Sequence, residues 1–355
     1  MNIKSLLIHL LSRKKYKGDF NPSSFRKILI IRPAKIGDTI CMFPLIRELK
    51  KAIPSANIDI YAGIHNNFMF KNVTQVNSIY TKYRKRNKIK TLIDLLKMRH
   101  NKYDLIIDTM ELRLGNIIKL LFINAKWMIA NNENNRYQIN PDDLYLYYLT
   151  NPYKKKHVSD KLTELLDLLD IRGYDNTMEL KLDQHSINYA QAFLKPYHGF
   201  DFIGLNADTS DLDRSLTDSD IIDMCQQLTK KTYNTRILLF CSRKRQEYMK
   251  SLIRASQLEH VILEQGSKNI FDAAALVNFM KVIVSPDTCF IHIASALNIP
   301  TVGIYQNNPE HIKAWAPKSQ ANIIIQPEKR GDNIRGFSIN ETVTATIQLL
   351  DAYSD

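Results

Sequence analysis

The chain is poor in the residues that build disulfide frameworks and zinc sites. Its 355 residues include four cysteines, and these stand singly, with no pair at metal-ligand spacing: Cys41, Cys225, Cys241 and Cys289. We therefore expect reduced thiols, no local disulfide framework and no bound metal. A reducing cytoplasm is the expected location.

Long apolar runs are also lacking. No stretch approaches the roughly 20 apolar residues that cross a bilayer, which excludes an ordinary membrane span. The first residues differ from a secretory signal, because their short apolar piece precedes the main basic cluster. We expect this segment to be retained.

Two common nucleotide-binding loops are missing as well. No Gly-x-Gly-x-x-Gly follows the first predicted strand, which argues against a Rossmann dehydrogenase. No Walker-type loop supports an NTPase.

Acidic residues are outnumbered, with 49 Lys and Arg against 36 Asp and Glu and a formal net charge of +13. Residues 1–35 hold nine basic residues against Asp19 alone, and residues 82–102 hold nine more against Asp94. Charge alone would allow nucleic-acid binding, but the tracts carry few aromatic residues and no reading motif. We expect no nucleic-acid partner.

The two basic tracts suggest anionic surfaces instead. In the first tract, apolar residues at helical spacing precede the basic cluster: Ile3, Leu6, Leu7, Leu10 and Leu11. This pattern suits an anionic membrane surface or, equally, a solvated extension. In the second tract, residues 83–88 are expected to contact a phosphorylated acceptor or lipid phosphates.

The length exceeds the size at which a single core stops growing, and strand and helix patterns alternate in both halves. The sequence therefore predicts an α/β protein of two domains. We place a basic amphipathic extension at 1–26, a first domain at 27–185, a second at 186–338 and a final helix at 339–355.

The first candidate site follows a strand. The run Lys27–Arg32 is apolar and rich in β-branched residues, as in a strand buried on both faces of a parallel sheet, and residues 41–52 show a helical pattern. Gly37, in the turn between them, would present Asp38 at the carboxyl end of the strand, where ligands bind in open α/β sheets. A carboxylate there can accept a proton from a substrate hydroxyl. The alternative is that Asp38 only caps the following helix.

A second strand, turn and helix repeat this pattern late in the chain. Val282–Val284 precedes the turn Ser285–Thr288, and a helical pattern then runs to about Asn298. A helix amino terminus carries partial positive charge and unpaired N–H donors, so this start, with Thr288, suits a diphosphate. His292 lies one turn further on the same side, although a lone histidine in an apolar helix is more often a core residue.

Together these motifs resemble those of the family 9 glycosyltransferases, the heptosyltransferases of lipopolysaccharide core assembly. Gly37-Asp38 and the run 287–292 match the family's first and last signatures, and Trp315-Ala316-Pro317 matches its Trp-x-Pro ending. The resemblance implies a GT-B architecture, in which two Rossmann-like domains face each other across a cleft. The first would bind mainly the acceptor and the second the nucleotide sugar, and helix 339–355 would pack back on the first domain.

The resemblance also implies an inverting, metal-independent displacement with no cofactor. Asp38 would be the general base, with Arg32 and Lys35 close to acceptor or phosphate groups. Donor binding would involve five residues: Asp287 for sugar hydroxyls, Thr288 for the diphosphate, Glu247 for the ribose, Arg214 for the leaving diphosphate, and His292.

Several positions depart from the family pattern. Cys289 stands where the family has glycine, Ala34 and Lys35 replace small hydroxyl residues, and Arg214 stands in the place of a lysine. Arginine offers a planar fork of donors and is not equivalent to lysine. Substrate identity is therefore the least transferable inference.

The leading hypothesis is transfer of a sugar, by resemblance heptose from ADP-heptose, onto the lipopolysaccharide inner core. The expected partners are a nucleotide-sugar donor, a lipid-linked core oligosaccharide and the anionic inner face of the cytoplasmic membrane, where the protein would bind peripherally. One alternative keeps the fold but moves another hexose or an N-acetylhexosamine. The others are an epimerase without a saccharide acceptor and a non-catalytic nucleotide-sugar-binding protein.

Overall fold

The chain forms two compact units, Met1–Thr177 and Met178–Asp355. The division falls slightly before residue 185, where the sequence analysis placed it. The computed structural model describes residues 16, 18–84, 87–110, 113–131, 141–149, 156–331 and 333–353. The amphipathic piece at residues 3–11 lies outside these residues, as do two residues of the basic run at 83–88.

The first unit contains six strands: β1 (Lys27–Arg32), β2 (Asn57–Gly63), β3 (Val76–Lys82), β4 (Leu105–Asp108), β5 (Trp127–Asn131) and β6 (Tyr147–Leu149). They form one parallel sheet in the order β3-β2-β1-β4-β5-β6. Its described helices are α1 (Ile36–Ile40), α2 (Phe43–Ala52), α3 (Lys88–His100), α4 (Leu114–Ile123) and α5 (Val158–Thr163).

The second unit also contains six strands: β7 (Asp201–Asn206), β8 (Thr235–Phe240), β9 (Val261–Leu263), β10 (Val282–Pro286), β11 (Thr301–Ile304) and β12 (Asn322–Ile325). They form a parallel sheet in the order β12-β11-β10-β7-β8-β9. Its helices are α6 (Gln184–Leu194), α7 (Asp218–Lys231), α8 (Gln246–Ala255), α9 (Ile270–Val277), α10 (Cys289–Leu297), α11 (Pro309–Trp315) and α12 (Ile339–Ala352).

Both sheets have the strand order of a Rossmann domain, 3-2-1-4-5-6 within each unit. The order reverses between β1 and β4 in the first unit and between β7 and β10 in the second. At such a switch point the connections leave in opposite directions, so a crevice opens at the carboxyl ends of the two strands. The prediction of two Rossmann-like α/β domains is confirmed.

The central strands of each sheet are buried in the core of their unit. Ile28, Leu29 and Ile30 of β1 are fully buried, as are Ile283 and Val284 of β10. Such continuous apolar runs are typical of strands covered by helices on both faces. The side chains that follow these strands are therefore attached to a rigid support.

The last helix, α12, packs in the second unit. Val343, Leu349 and Leu350 belong to the buried core that includes α7 and the strands of the second sheet. The resemblance to family 9 implied that this helix would pack back on the first domain, as in GT-B enzymes, whereas its main contacts lie within the second unit.

No helix in the described ranges is both long enough and apolar enough to cross a bilayer.

We expect Leu349→Ala to lower the free energy of unfolding of the second unit by about 2–4 kcal/mol, because the substitution leaves a cavity in that core. Hydrogen exchange, measured by mass spectrometry of peptides along the whole chain, would locate the loss of protection. Gln348→Ala, at an exposed position of the same helix, is the matched control. Lost protection confined to peptides of the first unit would contradict the packing of α12.

Candidate functional site

Asp38 lies just beyond the carboxyl end of β1, in the third position of α1. Arg32, the last residue of β1, is buried, and its Nη2 donates to Oδ1 of Asp38 at 3.1 Å. The other carboxylate oxygen, Oδ2, accepts the backbone N–H of Lys35 at 3.3 Å. Because 25 % of the Asp38 side chain is still exposed, a hydroxyl group can reach the carboxylate.

The contact with Lys35 means that Asp38 does cap α1, as the simpler interpretation of the sequence held. Capping alone would not require a cation beside Asp38. The ion pair with Arg32 additionally fixes the orientation of the carboxylate. Gly37 is buried within α1, so it forms part of the helix and not the turn that the sequence analysis assigned to it.

Asn66 holds this corner together. Its side chain is fully buried, and its Nδ2 donates to the carbonyl oxygen of Arg32 at 2.9 Å and to Oγ1 of Thr39 at 2.8 Å. Its Oδ1 accepts the N–H of Gly63 at 2.7 Å. One amide thus joins the ends of β1 and β2 to α1. Asn66 was not among the predicted site residues, since nothing in the sequence distinguishes it except its position soon after β2.

The switch point of the first unit is bridged by side chains. Arg32 Nη1 donates to the carbonyl oxygen of Thr109 at 3.2 Å, and Thr109 Oγ1 donates to the carbonyl oxygen of Ile31 at 2.7 Å. Two of the guanidinium nitrogens are therefore used within the protein, and the third, Nε, is buried without a partner among the described residues. By contrast, Lys35 is exposed and available to an anionic group.

A second carboxylate lies at the end of β4. Asp108 is buried, and its Oδ2 accepts the hydroxyl of Tyr145 at 2.6 Å while its Oδ1 accepts the N–H of Met110 at 3.0 Å. Burial raises the pKa of Asp108 to about 6, although both hydrogen bonds act in the opposite direction. Asp108 was not among the predicted site residues.

In the second unit, Asp287 follows β10 and is held by two donors. Arg214 Nη1 lies 3.3 Å from Oδ2 of Asp287, and Nε2 of His311 lies 2.7 Å from the same oxygen. Only 12 % of the Asp287 side chain is exposed. The structure thus brings together the predicted residues Arg214 and Asp287 and adds His311 on α11, which the sequence analysis missed.

Thr288 begins α10 as its N-cap. Its Oγ1 accepts the N–H of Phe290 at 3.2 Å and the Nδ2 of Asn206 at 3.1 Å. Asn206, the last residue of β7, also donates to Ser285 Oγ at 3.0 Å, which links the two strands of the switch point. The hydroxyl of Thr288 therefore has an internal role, and the N–H groups of Phe290 and Ile291 are bonded to Thr288 as well. What this helix start offers an anion is the partial positive charge of the helix dipole.

Cys289 follows directly as the first residue of α10. Burial raises the pKa of its thiol to about 11, so the side chain is neutral at physiological pH. It adds no negative charge at this helix start. The thiol therefore does not repel an anion bound at the positive end of the helix.

Of the other two predicted donor-binding residues, Glu247 is exposed and His292 is buried. Glu247 lies in the first turn of α8 beyond the end of β8, and its side chain is exposed. His292 is 4 % exposed, and its ring meets that of Trp315 edge-on at 5.6 Å. His292 is thus a largely buried residue, as is common for a histidine in an apolar helix.

The basic run before α8 is largely bound within the protein. Arg245 pairs with Asp208 and, at 3.2 Å, with Asp218. Arg243 Nη2 donates to the carbonyl oxygens of Ser267 and Lys268. These contacts of Arg243 and Arg245 connect the loops around the end of β8.

The raised pKa of Asp108 predicts a pH dependence of stability. Folding favours the protonated form of Asp108. The stability that this group contributes is therefore fully present below pH 3.8 and is lost as the pH rises through about 6. Relative to Asp108→Asn, the wild type should lose about 2–3 kcal/mol of unfolding free energy as the pH rises from below 3.8 to neutral. Urea unfolding of both proteins across this range measures the difference. Asp170→Asn, at an exposed carboxylate of the same unit, should show no such trend.

Comparison with known proteins supports these assignments at the level of family and fold. The model of glycosyltransferase family 9 (heptosyltransferase) matches residues 95–335, which include Asp287 and its partners but not Asp38. A search of curated proteins finds no match.

Solved structures cover almost the whole chain. A glycosyl transferase family 9 protein from Veillonella parvula DSM 2008 has a TM-score of 0.77 at 16% identity, over 92% of this chain and 97% of that one. E. coli ADP-heptose LPS heptosyltransferase II has a TM-score of 0.73 at 17% identity, over 93% and 100%. E. coli heptosyltransferase WaaC with ADP has a TM-score of 0.66 at 18% identity, over 91% and 99%.

At these identities the structural likeness shows the fold, and the family follows from the match of its model over more than half of the chain. The chain belongs to glycosyltransferase family 9, the heptosyltransferase family, and is a glycosyltransferase.

Proposed function

We propose that this glycosyltransferase moves heptose from ADP-heptose to a lipid-linked oligosaccharide of the lipopolysaccharide inner core, with Asp38 as the general base. Glycosyl transfer follows from the family, whereas the sugar, the acceptor and the base are part of the proposal. Support for the donor comes from relatives of the same fold that are described as using ADP-heptose or as holding ADP. The observation that carries the mechanism is the Asp38 carboxylate, held by Arg32 and still accessible.

The first unit supplies the base in this proposal. Each oxygen of Asp38 accepts one hydrogen bond from the protein, so each keeps a lone pair for an acceptor hydroxyl. As the hydroxyl oxygen attacks the anomeric carbon, its proton moves to the carboxylate. The bond from that carbon to the diphosphate oxygen breaks, and the electron pair leaves with the nucleoside diphosphate. The configuration at the carbon inverts.

The second unit binds the donor. Asp287 would accept hydrogen bonds from sugar hydroxyls through Oδ1, because Oδ2 is already occupied by Arg214 and His311. The positive end of the α10 dipole would attract the diphosphate, and the capping bonds of Thr288 keep that helix start in place. Arg214 would neutralise the leaving group through Nη2, since its Nη1 pairs with Asp287 and its Nε with Asp211. Glu247 and His292 stay proposed contacts of the ribose and of the donor.

Lys35 is the proposed contact for a phosphate of the acceptor, because its side chain is exposed beside Asp38. For Arg32 we propose a role other than the contact with acceptor or phosphate groups that the resemblance implied. Its Nη groups are directed to Asp38 and Thr109, so we assign it to positioning the base.

Asp38→Asn should lower turnover by about 10²- to 10⁴-fold, because the amide cannot accept the proton. Binding of the donor should stay within about twofold, since the change lies in the other unit. Steady-state kinetics with donor and acceptor, together with calorimetric titration of the donor, separate the two effects. Asp170→Asn is the control, and an unchanged rate for Asp38→Asn would refute the role of Asp38 as the base.

Release of nucleotide by the wild type without any acceptor would indicate an epimerase.

Asp287→Asn should weaken binding of the nucleotide sugar by about 10- to 100-fold, the value of a hydrogen bond to a charged group. Binding of the nucleoside diphosphate alone should not weaken, because the proposed contact is to the sugar. Calorimetric titration with both ligands makes the comparison. Asp213→Asn, at an exposed carboxylate in the same loop region, is the matched control. Equal weakening for both ligands would contradict the sugar contact.

A further inference from the structure

Helix α3 of the first unit presents an apolar stripe to solvent. Ile89, Leu92, Ile93 and Leu96 are spaced at i, i+3, i+4 and i+7, so they share one face of the helix. They are exposed to 76%, 51%, 45% and 50% respectively. Single exposed apolar residues are common on proteins, whereas four on one helical face mark an interaction surface.

This stripe is distinct from the face that attaches α3 to the protein. Met98 is fully buried and Leu95 packs against the core of the first unit, on the opposite side of the helix. The single acidic residue of the helix, Asp94, also faces inward, where its Oδ2 accepts the N–H of Thr81 at 2.8 Å. The helix is therefore held to the domain without use of the outer stripe.

Basic residues border the stripe on both sides. At about 100° per residue, Lys88 and Arg99 lie along one edge, and Lys90 and Lys97 lie along the other. All four are exposed, and His100 follows at the end of the stripe. Arg99 Nη1 also donates to the carbonyl oxygen of Phe122 at 2.5 Å, which fixes α3 to α4. The outer face is thus apolar in the middle and cationic at its margins.

We propose that the outer face of α3 binds the surface of an anionic phospholipid membrane. The side chains of Ile89, Leu92, Ile93 and Leu96 enter the boundary between headgroups and acyl chains, and the lysines and arginine contact lipid phosphates. Long basic side chains suit this arrangement, because their stems lie along apolar surface while their charges reach the headgroups.

Charge favours a lipid surface over a second copy of this chain. Two copies joined through this face would bring the same basic margins together, on a protein whose net charge is already +13. Anionic lipid instead gives every margin residue a partner of opposite charge. The proposal goes beyond sugar transfer and does not depend on the donor or on Asp38.

Flotation of the full-length protein with vesicles tests the proposal in the absence of nucleotide sugar. The wild type should bind vesicles that contain phosphatidylglycerol and should bind pure phosphatidylcholine at least about tenfold more weakly. Leu92→Gln with Leu96→Gln should lower binding to the anionic vesicles by about tenfold or more. Lys90→Gln with Lys97→Gln should reduce binding to the anionic vesicles while leaving binding to the neutral ones unchanged.

Tyr233→Gln is the matched control, because this side chain of the second unit is 97% exposed and lies outside the proposed surface. Circular dichroism and thermal unfolding of each variant check that the fold is retained. Because substitutions at exposed sites leave the core intact, altered binding with an unchanged melting temperature reports on the surface itself.

Three results would overturn the proposal. The first is binding by the Leu92→Gln, Leu96→Gln variant at the level of the wild type. The second is loss of binding only when Leu6→Gln and Leu10→Gln are introduced, which would assign the interaction to the N-terminal segment. The third is no vesicle binding by a wild type that sediments as a dimer while the α3 variant sediments as a monomer. Since no donor is present, none of these results bears on Asp38.

Discussion

The bond network at the two switch points is the constraint on which the candidate site depends. Where the strand order reverses, the connections leave two adjacent parallel strands in opposite directions, and side chains bridge the strand ends that border the resulting crevice. In the first unit Arg32 does so, joining β1 to Thr109 and at the same time orienting Asp38. In the second unit Asn206 joins β7 to Ser285 and Thr288. The same residues thus complete the fold and position the proposed chemistry.

The two candidate carboxylates differ in how they are held, and the difference suits their proposed roles. Asp287 receives both Arg214 and His311 on one oxygen and is nearly covered, which suits a fixed acceptor of hydrogen bonds from a sugar. Asp38 receives one cation and one backbone N–H on separate oxygens and is more open. A group that exchanges a proton with a substrate needs this access. The positive start of α10 lies beside the carboxylate that would bind the sugar, so in the proposed mechanism it would attract the diphosphate attached to that sugar.

Helix α3 shows where part of the uneven positive charge of the chain lies. Its cations border an apolar stripe, while its one carboxylate turns toward β3. A helix that is held by one apolar face and presents another resembles interfacial helices, which lie in the plane of a bilayer. For an enzyme whose proposed acceptor is anchored in lipid, such a face would keep the protein close to its substrate.

Local pattern in the sequence was enough for the two-domain α/β organisation and for most central elements, such as β1, β10 and α10, because strands buried on both faces read as continuous apolar runs. It was not enough for β3, β6 and β12, which lie at the sheet edges and are only partly buried. It also missed β5, although all five residues of that strand are buried. The motifs identified Asp38, Arg214, Asp287 and Thr288 as a set of candidates.

Only the tertiary structure decided how those residues are used: that Arg32 orients a carboxylate, that His311 joins Asp287, and that α12 is buried in the second unit. Each of these contacts joins positions brought together by β-strand pairing and helix packing, or depends on where a side chain points. The spacing of residues along a chain carries the period of a helix or strand, but it carries no information on which partner a side chain meets across the fold.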